Sequence, residues 1–251
     1  MPRRHGSHQT AIFTDGLSVP TVPYRKANAF CNNNKRTEGD KALTQHSVNT
    51  DELLDQFQIS QLAQNWGNWR DTGDWERLRN CYTPDATMVT TWYNGPAAGF
   101  LEASIQGRKR QPKDRGGMHI MGGTTSYILG RRATGETRIT LLLRSEVHGK
   151  LVDITVYGRF LDCLIKGDDG QWRIQAREPV YDKDFLRTVD PADTVKLDPA
   201  ELAKYPLGFR HLAYVQAAEG HAITMGIAAP YSEEEQAIYA KGRAWLAGDK
   251  S

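Results

Sequence analysis

The stretch "KLVDITVYGRFLDCLIKGDDGQWRIQAREPVYD", residues 150–182, decides the fold class. Two runs rich in β-branched and aromatic residues flank Gly167-Asp168-Asp169-Gly170, a turn too short to hold a crossover helix. The two runs therefore read as neighbouring antiparallel strands. Upstream, "HIMGGTTSYIL" (119–129) and "ETRITLLLRSEV" (136–147) repeat the pattern, with His148-Gly149 as the next turn, so the centre of the chain is an antiparallel meander. "ATMVTTWY" (86–93) alternates like a further strand.

Helices precede these strands. Thr50 can cap a run in which Leu54, Phe57, Ile59, Leu62, Ala63, Trp66 and Trp69 recur at helical spacing, and this helix should stop near Gly73. Asp74 can cap a second helix through Trp75, Leu78 and Tyr82, closed by Thr83-Pro84-Asp85, because the residue before proline avoids helical geometry. "GFLEASIQGRKR" (99–110) reads as a short helix. After Asp184 the chain is punctuated by proline, and "SEEEQAIYAKGRAWLAG" (232–248) reads as a terminal helix capped at Ser232 and ended near Gly248. The expected class is α+β: N-terminal helices, a curved antiparallel sheet packed on them, and a C-terminal helical extension. Residues 1–49 read as a flexible tail, 50–184 as the domain, and 185–251 as an extension that covers a pocket or builds a dimer contact.

Of the 251 residues, 39% are hydrophobic and 25% charged, enough for a sizeable core. The net charge of +2 conceals a local +4 in residues 1–50, with seven Lys/Arg against three Asp/Glu, which leaves −2 for residues 51–251. No broad basic surface is expected there, so nucleic acid is not an expected partner. No signal-peptide pattern and no apolar run of about 18 residues occurs, so a cytoplasmic protein without membrane partners is expected. Cys31, Cys81 and Cys163 are odd in number and widely spaced, and read as reduced thiols.

The sequence lacks G-x-x-x-x-G-K-[ST], H-E-x-x-H and G-x-S-x-G, and nothing in its histidine spacing supports a metal site. Asp71 stands where the first helix ends, facing the negative end of the helix dipole. Two readings stand open for it: a solvated turn residue in Asp-Thr-Gly-Asp, or an acid held in a pocket lined by Trp66 and Trp69. His119, in the apolar strand start "GMHIMGG", reads either as a hydrogen-bonded core residue or, if Asp71 points at it, as a general acid/base. Arg144, Tyr157, Arg159, Asp162 and Arg177 are polar residues on strands. Period 2 puts Tyr157 and Arg159 on one face, and Phe160 and Asp162 on the other. They read as one solvated face, or as an Asp162–Arg177 ion pair between adjacent strands, or else some of them line a cavity.

Taken together, "WRDTGDWERLRNCYTPDATM", "MHIMGGTTSYI" and "YGRFLDCLIKGDDGQWRI" resemble the SnoaL-like branch of the NTF2-like superfamily over roughly residues 51–182. The resemblance implies an NTF2-like cone and chemistry that needs no metal and no organic cofactor. By similarity to the scytalone dehydratase and bile-acid dehydratase types, it places an active-site acid on Asp71 and a catalytic histidine on His119. Positions held by tyrosines in scytalone dehydratases are Arg70 and Thr90 here, and a second histidine falls near Arg144. Those replacements argue against scytalone itself and leave related lyase or isomerase chemistry. The continuation "REPVYDKD" and the extension resemble a bacterial-type subgroup.

The expected function is thus a cofactor-independent lyase, of dehydratase or deformylase type, or an isomerase, acting on a hydrophobic, aromatic or polycyclic small molecule. His119 moves the proton, Asp71 orients it or acts as partner base, and Arg144 or Arg159 stabilises an enolate or phenolate. Trp66, Arg70, Thr90, Tyr157 and Arg159 are the expected substrate contacts, and a homodimer or homotrimer the expected assembly. The alternatives are a non-catalytic ligand-binding or assembly module, or the small subunit of a ring-hydroxylating dioxygenase.

Overall fold

The computed structural model describes residues 50–248; the tail expected at 1–49, with Cys31, lies outside the described residues. The elements are α1 (Thr50–Thr72), α2 (Trp75–Arg79), β1 (Tyr82–Thr90), β2 (Tyr93–Pro96), α3 (Ala97–Arg110), β3 (Gly116–Leu129), β4 (Arg132–Val147), β5 (Lys150–Lys166), β6 (Trp172–Thr188), α4 (Pro199–Leu202), α5 (Arg210–Ala218) and α6 (Glu233–Ala247). One curved sheet runs in the order β2-β1-β6-β5-β4-β3, with the first helices packed on its inner face.

The meander from β3 to β6 is antiparallel, as the short turns require. The exception is β1, which pairs with β6 in parallel. No local signal marks that pair, because β3, β4 and β5 intervene between its members in sequence. Tyr82 also belongs to β1, not to the second helix, which ends at Arg79. Pro84 is tolerated in the strand because the β1–β6 register shifts between Tyr82 and Thr87, where no ladder bond is asked of it. The run 86–93 breaks at Thr91-Trp92, which turn the chain into β2. β6 continues to Thr188, past the expected change at Asp184, still paired with Val152 of β5.

Helix ends follow their chemistry. Gly73, at φ 79°, closes α1, and its N–H donates to the Trp69 carbonyl. Asp74 accepts from the Arg77 N–H and Ser232 from the Glu235 N–H, each capping its helix. The core between helices and sheet holds Ile59, Trp66, Leu78, Phe100, Ile154 and Ile174, and the extension adds Phe209, Leu212 and Val215 to it. The outer sheet face carries α6, whose Trp245 indole donates to the carbonyls of Ala133 and Leu164. Cys81 and Cys163 are free thiols, pushed up by burial to about 12 and about 11. Among the described residues no helix is long and apolar enough to cross a membrane.

Candidate active site

The site begins with the buried stripe of α1: Ile59, Ala63, Trp66 and Gly67. At Gly67 helix and sheet approach closely, since a Cβ added there would stand 2.6 Å from Met121 Cγ and 3.7 Å from His119 Cβ. Asp71 lies one turn further on, and this approach sets its carboxylate against β3. It accepts the His119 N–H at 2.5 Å and meets His119 Nδ1 at 2.7 Å. The two side chains are only 16% and 14% exposed, so Asp71 is not a solvated turn residue. An ionised carboxylate can only accept, so Nδ1 carries a proton, and in the neutral ring Nε2 then presents its lone pair. Nε2 has no partner among the described residues, and the ring lines a cavity of about 130 Å³.

The cavity walls are aromatic. Trp66 meets the His119 ring edge-on with centroids 5.4 Å apart, and its indole N–H donates to the Tyr82 hydroxyl at 2.6 Å. Phe100 and Phe160 complete this wall. Behind it, the Arg177 guanidinium lies 4.5 Å from both the Trp66 and Phe160 rings and makes a two-pronged ion pair with Asp162, both bonds 2.7 Å. This is the strand-to-strand pair that alternation allowed for, and it stiffens the wall. From the extension, Gln216 of α5 reaches the cavity, accepting the Thr91 hydroxyl at 2.5 Å, and the Thr224 N–H donates to the Thr91 carbonyl.

Five of the expected site residues, Trp66, Arg70, Asp71, Thr90 and His119, line this one cavity. Arg144, Tyr157 and Arg159 do not, because each lies on the outer sheet face. Arg144 is exposed and held two-pronged by Asp153. Tyr157 is exposed beside Phe185 and Lys183. Arg159 is pinned under α6 by Glu136 and Glu235. Trp69 packs on the core without lining the cavity.

The positive charge of the site comes instead from α1 and α3. Arg108 Nη1 donates to the Asp71 carbonyl at 2.8 Å and lines the cavity, as does Gln111 just past the end of the same helix. Arg108 was hidden in the basic run Arg108-Lys109-Arg110, which reads simply as a helix C-terminus. Arg70 faces the Trp75 and Phe100 rings at 5.7 and 5.9 Å, and burial lowers its pKa from the ordinary arginine value. Among the described residues no three His, Cys, Asp or Glu side chains gather as a metal-ion site.

Residues 51–178 match the SnoaL-like domain model. A PEP2-like protein of Fusarium vanettenii is 30% identical over 79% of this chain and 88% of its own length. Pea pathogenicity protein 2 of the same fungus is 29% identical over 78% and 88%. Both relatives are fungal proteins. Among solved structures, an NTF2-like protein with a cystatin-like fold from Novosphingobium aromaticivorans is 21% identical, with a TM-score of 0.37 over 53% of this chain and 90% of that one. The chain belongs to the SnoaL-like domain family, and its described residues fold with an α+β architecture.

Proposed function

We propose that the protein is a cofactor-independent lyase or isomerase that works by general acid/base chemistry on a hydrophobic small molecule, with His119 as the proton carrier. One observation carries this reading: the Asp71–His119 pair sits at the wall of an aromatic cavity with the second imidazole nitrogen unpartnered. A binding module needs the cavity but not an oriented imidazole. His119 Nε2 takes a proton from a carbon next to a carbonyl, while Nδ1–H stays on Asp71, whose charge stabilises the imidazolium that forms. Arg108, fixed by its bond to the Asp71 carbonyl, supplies positive charge for the enolate oxygen. Returning the proton to a different carbon is isomerisation; giving it to a departing hydroxyl is dehydration.

The cavity volume is close to that of an engineered protein cavity of ~150 Å³ that holds one benzene. The reacting part of the substrate is therefore about one ring in size, and any further ring extends toward the opening. The reading is tested with 2-tetralone in D₂O, following exchange of the protons next to its carbonyl by NMR, and with 3-hydroxy-1-tetralone, whose loss of water yields fluorescent 1-naphthol. The folded wild type should accelerate exchange or elimination, and His119→Ala should lose about 10²–10⁴-fold of that acceleration. Equal rates for the wild type and an Asp71→Asn/His119→Ala double variant would remove the mechanism.

A further inference from the structure

The mechanism above leaves one cavity charge unused. Arg70 is the α1 residue just before Asp71 and lines the same cavity, yet among the described residues its guanidinium makes no hydrogen bond and no ion pair. Its close neighbours include the Trp75 and Phe100 rings. The nearest acid in sequence, Asp71, attracts it through space but gives it no hydrogen bond, because that carboxylate is committed to His119. Other arginines of the domain behave differently: Arg177, Arg159, Arg144, Arg173 and Arg115 each contact a carboxylate. Burial is the main cost of keeping Arg70 charged; Asp71 and Tyr82 offset part of it, and the nearby positive charge of Arg108 adds to it.

A desolvated guanidinium whose N–H groups have no acceptor is destabilising unless a ligand completes it. We propose that Arg70 is the specificity residue of the cavity and that the substrate class is an aromatic carboxylate, its carboxylate held by the Arg70 guanidinium. The guanidinium's parallel N–H groups match the two oxygens of a carboxylate, and the rings beside them match a flat aromatic body. The volume allows one ring with a small anionic group. The proposal rests on this cavity being the substrate site, and not on His119 doing chemistry there.

The test compares benzoate with benzamide, its neutral near-isostere, by isothermal titration calorimetry against the full chain. Benzoate should bind at least tenfold more tightly than benzamide. Arg70→Met, confirmed as folded by circular dichroism, should erase that preference, and Arg70→Lys should restore part of it. Should Arg70→Met fail to fold, Arg70→Lys alone decides, with a weakened preference expected because the fork is gone while the charge stays. Equal binding of the two ligands by the wild type, no binding of either, or an undiminished preference in the folded Arg70 variants would overturn the proposal. His119→Ala should keep the benzoate preference while losing proton exchange, so failure of the catalytic reading and failure of this one give different results.

Discussion

Among the described residues two aspartate–histidine pairs are built almost alike, and only the first lines the aromatic cavity. In the first, Asp71 of α1 meets His119 Nδ1 at 2.7 Å and also accepts a backbone N–H of β3. In the second, Asp184 of β6 meets His211 Nδ1 at 2.8 Å and also accepts the Leu212 N–H. The second pair has a sufficient structural reason. The first residue of α5 follows Phe209, which offers no capping side chain, and Asp184 supplies the missing acceptor from the sheet. It thereby ties the extension to β6, and His211 does not line the cavity. Asp71 receives no such credit, since it stands at a helix C-terminus, the electrostatically wrong end. An Asp–His contact is thus no mark of chemistry by itself; what lies beyond the second ring nitrogen separates a fastener from a base.

The largest expected effect separates the two pairs outright. His119→Ala should lower catalysed exchange of 2-tetralone by about 10²–10⁴-fold with the fold intact, whereas His211→Ala should leave it within about twofold. A comparable loss in both variants would erase the distinction. Next comes stability. Asp184→Ala leaves the buried Leu212 N–H and the His211 ring without their acceptor and should cost about 1–3 kcal/mol in urea unfolding. Asp71→Asn should instead act on the rate, because the amide no longer orients and charges the imidazole. A smaller effect probes what brings the first pair together: Gly67→Ala forces Met121 aside and should cost about 1–3 kcal/mol while slowing turnover, since the helix carries Asp71 with it. The smallest is Arg144→Ala, which should change exchange by less than about twofold, because that side chain lies on the outer face, paired with Asp153.

Much of this was legible in the sequence, for physical reasons that also mark where legibility stops. Turns and alternation gave the β3–β6 meander and the Asp162–Arg177 pair, because both are set by neighbours in the chain or across one hairpin. Alternation also placed Tyr157 and Arg159 together, but it could not say which face looks inward. Arg144 shows the cost of that ambiguity. Leu141 stands opposite His119 across the β3–β4 ladder and lines the cavity, as does Leu143, while Arg144, one position on, points the other way. A slip of one residue along a strand reverses every side chain. The parallel β1–β6 pairing, Arg108 and Gln216 were not legible at all, since each depends on elements brought together only by the complete fold. Asp71 and His119 were found through the family pattern; their spacing of 48 residues carries no signal of contact.

The account turns on the protonation of one ring, and ¹⁵N-histidine NMR reads it without a substrate. At alkaline pH, with His119 assigned by the signals missing in His119→Gln, the long-range ¹H–¹⁵N correlations should show the proton on Nδ1 and a bare Nε2, a pattern that Asp71→Asn disrupts. Finding the proton on Nε2 in the wild type, or no change in Asp71→Asn, would contradict the assignment of His119 as the base of the cavity.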